Sequence, residues 1–360
     1  MTSLLHAARM CCLLAAAGSA AAAPNTFADP IATPARLSER AVRAPVFALA
    51  EGAGGVRIGV GPRGHILRST DGRTWAQVPS PVSTDLVAVS FAGPRTAWAV
   101  GHDGVMLQSS DAGASWHRRM DGFALGQLLV RHYEPLAAAR PEPAVQRALD
   151  DARKAAAGGA ALSLLSVWFR NEREGFVAGQ FNLLLHTADG GASWQPWLER
   201  TENPDNYSLH AIAGDERQVW IAGELGLLLR LVGSGNGARF QRVESPYQGS
   251  WFGMAVEQSS VLLFGLRGNA WRSDDGGARW RRLATGTDQA INAGVMRRDG
   301  SIALLTSRGR LLAGGANDNA LREVPRSGAA GAAYALLPLS GQGLALGTAQ
   351  GVQAINPARP

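Results

Sequence analysis

"HTADGGASWQPW" (His186–Trp197) decides the fold of this chain, because the chain writes it again. "QSSDAGASWHRR" (Gln108–Arg119) and "RSDDGGARWRRL" (Arg272–Leu283) nearly repeat it, and "RSTDGRTWAQV" (Arg68–Val78) is the same string one residue shorter. Recurrence at a fixed interval is the mark of an array of like units. Asp71 and Asp111 stand 40 residues apart, Asp111 and Asp189 78, and Asp189 and Asp275 86, so the two longer gaps are each near two periods. Each string joins an aspartate that can accept bonds from its own turn amides to a glycine suited to positive φ. A tryptophan large enough to wedge between sheets follows: Trp75, Trp116, Trp194 or Trp280.

The flanks complete the unit. "LVAVSFAGPRTAWAVGHDGVMLQSSDAGASWHRR" (Leu86–Arg119) runs through a strand, a turn, a second strand, a glycine hairpin, a third strand, the aspartate turn and a last strand. Four short strands in about 40 residues, bounded by Gly-rich turns, describe a propeller blade. Leu164–Trp197 follows the same plan closely, and Leu209–Val243 keeps the hairpin but puts Phe240 where tryptophan stood. Ile291–Val324 and Ala333–Ile355 retain only the strand rhythm. Counted from Val46, this gives an all-β, seven-bladed β-propeller over residues 46–357. The last unit stops after three strands. The segment 23–45, with "IATPARLSERAVR" (Ile31–Arg43), is expected to complete it and close the ring, removing an exposed edge.

One stretch breaks the period. Residues 126–163 lack a hairpin, while Val145, Leu149, Ala152 and Ala156 recur at helical spacing and Asp150 and Lys154 stand four apart. The spacing predicts a helical insertion between blades 2 and 3.

Residues 1–22 combine Arg9, a short apolar run and small residues before Ala23 and Pro24, the pattern of a secretory signal peptide. A periplasmic product is expected, with no transmembrane segment of its own after cleavage. Cys11 and Cys12 both lie in that leader, so the remainder has no thiol chemistry and no disulfide. The formal net charge of +6 comes almost wholly from arginine, Lys154 being the one lysine. The charge is spread without a basic cluster, so nucleic acid is not expected as a partner.

The repeated aspartates, Asp71, Asp111, Asp189 and Asp275, read as structural staples. One carboxylate per turn is a poor calcium site, which wants six to eight oxygens. The histidines show no metal-ligand spacing, so neither a metal nor a cofactor is expected. These strings are the Asp-box, or bacterial neuraminidase repeat, which sialidases also carry. A sialidase needs an arginine cluster, a tyrosine nucleophile with a glutamate, and an acid/base aspartate. Only Tyr133, Tyr207, Tyr247 and Tyr334 are present, and no catalytic constellation stands out. No enzymatic activity is expected; a sialidase-like or other glycan-active or glycan-binding propeller is the alternative.

The repeated pattern behind a signal peptide resembles the photosystem II stability/assembly factor family of β-propellers, in its non-photosynthetic bacterial branch. "SVWFRNEREGFVAGQFNLLLHTADGGASWQPW" (Ser166–Trp197) and "IAGELGLLLR" (Ile221–Arg230) carry the resemblance most closely. It implies a non-enzymatic scaffold or assembly factor that binds an inner-membrane protein complex. Some relatives in that branch accompany resistance-nodulation-division exporters. Loops entering each blade and the hairpins between second and third strands should share one face, with Tyr207, Tyr247 and Trp251 as candidate interface anchors. Arg68, Arg230 and Arg272 occupy one equivalent repeat position and could form a common electropositive surface.

Overall fold

The computed structural model describes residues 28–325, 331–339, 341 and 343–355. The proposed leader, residues 1–22, lies outside them. The described residues form six four-stranded antiparallel sheets and one of three strands, each in simple meander order. Sheet 1 spans 48–77, sheet 2 86–120, sheet 3 164–196, sheet 4 209–242, sheet 5 251–282, sheet 6 291–324 and sheet 7 333–355.

Burial follows position within each sheet. The second strands Ala97–Gly101, Gly175–Gly179, Val219–Gly223, Ile302–Thr306 and Leu344–Thr348 are buried throughout. They are covered on both faces, which explains their unbroken apolar runs. Fourth strands are short and largely exposed, Gln195–Pro196 and Arg281–Arg282 having two residues each. In sheets 2–7 the pairing of first and second strands slips by one residue at the start of the first strand. Such a bulge bends the strand and adds local twist.

The first strand of each sheet packs against the first strand of the next, and Ala333–Pro338 of sheet 7 packs against Ala48–Glu51 of sheet 1. The apolar clusters accordingly sit in the seams: Ile58 with Leu107 and Trp116 between sheets 1 and 2, Trp98 with Phe169 and Trp194 between sheets 2 and 3.

The N-terminal segment differs from expectation. Sheet 7 keeps three strands among the described residues, and Glu39–Arg43 is a 3-10 turn capped by the Ser38 hydroxyl, not a fourth strand. This turn lies against both the last strand of sheet 7 and the last strand of sheet 1. The Val46 N–H donates to the Thr348 carbonyl (3.0 Å). Pro34 and Pro45 bracket the segment, and proline offers no N–H to a ladder. The edge is covered by packing.

Between sheets 2 and 3 run two helices, α1 (Gly122–Ala139) and α2 (Pro143–Ala157). The insertion begins four residues before the expected Gly126, because Asp121 caps α1 by accepting from the Ala124 N–H (3.0 Å). Val145, Leu149 and Ala152 are buried as expected, but Ala156 is exposed. Lys154 pairs with Asp151, three residues back, not with Asp150 (Nζ–Oδ1 3.3 Å).

Candidate functional site

The aspartate turns join third to fourth strands. In Asp189 one carboxylate oxygen accepts from the Ser193 N–H (2.9 Å) and the Thr187 hydroxyl (2.7 Å), while the other accepts from the Ser193 hydroxyl (2.6 Å). The Thr187 oxygen in turn accepts from the Gly191 N–H (2.8 Å). Asp111 repeats this set with Ser115, Ser109 and Gly113, and Asp275 has the Arg279 N–H and the Ser273 hydroxyl. In the shorter first turn, Asp71 takes the N–H groups of Arg73 and Thr74. Bonds from the Ser193 hydroxyl and N–H, then from Thr187, hold the Asp189 pKa down at about 2. At Asp111 burial pushes upward, but the Ser115 and Ser109 bonds outweigh it and the pKa is also about 2.

The turns of sheets 3 and 5 also grip the preceding sheet. Gly191 has φ 88°, and a Cβ there would stand 2.1 Å from a Trp98 ring carbon. Gly277 faces Trp220 in the same way at 2.5 Å. Trp194 packs edge-on against Trp98 (centroids 5.5 Å), so the tryptophan and the glycine of this turn hold one aromatic of the neighbouring sheet between them.

The three arginines do not form a common surface. Arg68 Nε donates to the Ala112 carbonyl (2.8 Å), Arg230 Nη1 to the Gly276 carbonyl (3.2 Å), and Arg272 Nη1 to the Gly300 carbonyl (2.6 Å). All three acceptors are turn carbonyls of the next sheet. Arg272 is only 4% exposed and is also paired with Asp274 (2.6 Å). Arg230 stays exposed, with its guanidinium over the Trp220 ring (5.5 Å). The repeat position is a seam bond. Its signal in the sequence is the aspartate turn that follows Arg68 and Arg230 in the next unit.

The aromatic candidates also divide. Trp251 is fully buried, with its indole N–H donating to the Ser245 hydroxyl (3.1 Å), so it packs sheet 5 against sheet 4 and presents nothing to a partner. Tyr247 lies half-buried across it (centroids 5.5 Å), and Tyr207 is half-buried against the core between sheets 3 and 4.

What the sequence reading passed over is the junction of the insertion with sheet 3. Tyr133 of α1 is fully buried; its hydroxyl donates to Glu199 Oε2 (2.7 Å) and accepts from the Leu198 N–H (2.9 Å). Burial, with the Glu199 charge, pushes the Tyr133 pKa well above the usual phenol range. A tyrosine–glutamate pair does exist here, but sealed from solvent it is a clasp. On the other side, Asn206 donates to Asp151 of α2 (2.7 Å). Asn182, where other hairpins carry glycine, is buried and bonds Leu198, Thr201 and Asn203.

Hairpins between second and third strands share one face with the loops that enter each sheet: Gln180 N–H donates to the Ser163 carbonyl, Glu224 to Ser208 and Leu266 to Ser250. On that face Phe181 (φ 53°) is 65% exposed and Leu225 (φ 48°) 54%. Bulky apolar residues rarely adopt the left-handed region, and here two of them point into solvent. Beside Phe181 a cleft of about 400 Å³ opens between the insertion and sheet 3, floored by Leu129, Ala155, Leu162, Leu183 and Leu198. Among the described residues no cluster of three or more His, Cys, Asp or Glu could hold a metal ion, and no helix is long and apolar enough to cross a membrane.

The profile of the family "Photosynthesis system II assembly factor YCF48" matches residues 156–317. The chain is related to the photosystem II assembly factor family. A photosystem II assembly protein Ycf48 from Synechococcus sp. (strain JA-3-3Ab) is 26% identical over 193 residues, covering 52% of this chain and 47% of that protein. A photosystem II assembly lipoprotein Ycf48 from Synechococcus sp. (strain CC9902) is 27% identical over 128 residues, 35% of this chain and 38% of that protein. The matched stretches thus span about half or less of these relatives.

Among solved structures, "YCF48 bound to D1 peptide" superposes over 91% of this chain and 96% of that one, with TM-score 0.63 and 14% identity. YCF48 from Cyanidioschyzon merolae covers 90% of this chain and 98% of that one, with TM-score 0.60 and 14% identity. Virginiamycin B lyase from Staphylococcus aureus, an enzyme, covers 89% and 97% with TM-score 0.63 and 11% identity. At such identities the likeness is one of fold, and this fold carries both binding proteins and enzymes.

Proposed function

We propose that the chain is a seven-bladed, ring-closed propeller with Asp-box turns that acts as a non-enzymatic assembly or stability factor, gripping a segment of a membrane protein complex. The observation that carries this reading is the assembly-factor profile over residues 156–317. The D1 peptide named with one fold neighbour supports the choice of a membrane-protein partner. The circuit of packed first strands, sheet 7 meeting sheet 1, supports a rigid ring that presents one loop face. In this proposal the protein is exported by its leader to the periplasm and serves an inner-membrane complex, a resistance-nodulation-division exporter being the candidate that the resemblance suggests.

The test is capture of partners from detergent-solubilised membranes of the native host by immobilised full-length protein, identified by mass spectrometry. A defined membrane complex, enriched over a bead control, is expected. A parallel screen with fluorogenic sialosides and other glycosides is expected to give no turnover; robust hydrolysis, or no membrane partner, overturns the proposal.

A further inference from the structure

The cleft beside Phe181 has the form of a subsite. Its floor is aliphatic and its volume of about 400 Å³ is in the range of pockets that bury a compact apolar group. Phe181 forms one lip and is held outward by a left-handed backbone (φ 53°) that phenylalanine does not adopt freely. The side-chain amide of Gln180, at the same lip, has no protein partner among the described residues and is free to bond a peptide backbone. Helix α2 fixes the opposite wall through the Asp151–Asn206 bond (2.7 Å). Gly126 lets α1 and α2 approach closely, a Cβ there falling 2.9 Å from the Ala156 backbone.

The neighbouring hairpins say what chemistry lies beyond the cleft. Around the same face the tips run from Phe181 in sheet 3 to Leu225 in sheet 4, then Leu266 and Arg267 in sheet 5 and Arg308 in sheet 6. Leu266 is 37% exposed. Arg267 and Arg308 are exposed, and their guanidinium groups make no ion pair or hydrogen bond among the described residues. This contrasts with Arg68, Arg230 and Arg272, whose charges are tied down in the seams. The face is therefore apolar at one end and carries two free guanidinium groups at the other, with the exposed Asp288 on the loop between their hairpins. An unpaired cationic rim favours carboxylates by charge complementarity.

We propose that the cleft takes one large uncharged apolar side chain of an extended polypeptide, whose nearby carboxylates meet Arg267 and Arg308. This deepens the assembly-factor reading by naming the class of segment gripped, and it rests on that reading for the source of the peptide.

The test uses fluorescein-labelled Gly/Ser peptides carrying one Phe and, some residues along, two Glu, made in both orders and followed by anisotropy at low salt with the full chain. At least one order should bind, and replacing its Phe by Ser or its Glu pair by Lys should weaken it by about tenfold or more. Ala161→Trp fills the cleft mouth from an exposed position and Phe181→Gly removes the lip while relieving the backbone; each should cost a similar factor. Arg267→Glu with Arg308→Glu should weaken binding at low salt and have little effect at high salt, where exposed charges are screened. Circular dichroism verifies each variant's fold.

Binding in neither order, or binding indifferent to Phe181→Gly and to the Phe→Ser peptide, overturns the proposal. So does equal competition by vesicles of zwitterionic lipid, or concentration-dependent self-association that Ala161→Trp abolishes; these would assign the cleft to lipid or to a second copy. Membrane capture separates the two readings. If wild type and both cleft variants retain the same complex equally, the cleft proposal fails and the assembly role stands. If no complex is captured but the peptide binds through the cleft, the assembly role fails and the cleft proposal stands.

Discussion

The aspartate of each repeat works through its shape as an acceptor. At Asp189 three donors converge on one carboxylate, and the Thr187 oxygen passes the network on to Gly191. Asp189→Ala leaves those donors to water and should lower stability by about 1 kcal/mol, as loss of a helix cap does; Asp189→Asn should lose less, and thermal unfolding ranks the two. The depressed pKa fixes the sign of the acid response. With Asp111 and Asp189 at about 2 when folded, against the ordinary 3.8, their contribution is whole above about pH 4 and fades as pH falls towards 2. A titration should show the midpoint temperature dropping across that window, and Asp111→Asn with Asp189→Asn should flatten the drop. Trp194 is a different kind of contribution: only 8% exposed and wedged against Trp98 and Phe169, its replacement by alanine should cost about 3–5 kcal/mol. The tryptophan and aspartate were legible at this scale. The role of Arg68, Arg230 and Arg272 was not, because a residue's repeat position says nothing about which turn of the next unit its side chain will reach.

At the scale of the element, helices α1 and α2 were legible as helices from Val145, Leu149 and Ala152, whose spacing reports a buried stripe. What that stripe rests on was not. Tyr133 looks in the sequence like one of four scattered tyrosines, yet it clasps Glu199 and the Leu198 amide 65 residues away. Tyr133→Phe strands a carboxylate oxygen and a backbone N–H away from solvent and should destabilise by about 1–3 kcal/mol. Limited proteolysis should then cut the insertion before the sheets; cleavage no faster than wild type would show that the clasp does not hold the helices down. Asn182 makes the same point, since its amide joins hairpin to connection only because the fold brings Leu198, Thr201 and Asn203 around it.

At the scale of the molecule, the N-terminal segment shows where a good argument about edges met chain chemistry. An open third strand in sheet 7 asks for cover, and Ile31–Arg43 was the segment to supply it. Instead the 3-10 turn Glu39–Arg43 lies against the last strands of sheets 7 and 1, with Ala41 buried beside Val46 and Leu67. Deleting residues up to Arg43 should therefore lower the unfolding midpoint by several degrees, on the order of 2–3 kcal/mol at this chain size, without changing the far-ultraviolet β signature. An unchanged midpoint would mean that the segment seals nothing.

The sequence by itself determined the number and order of strands in the better repeats, the turns between third and fourth strands, and the presence of helices after sheet 2. These depend on local periodicity and on residues within one turn of each other, which the chain states directly. Only the tertiary structure decided that repeat arginines are seam bonds, that Trp251 is core and that a cleft opens beside Phe181. Each of those depends on the angle and distance at which one sheet or helix meets the next, and that is set by packing across many residues far apart in the chain.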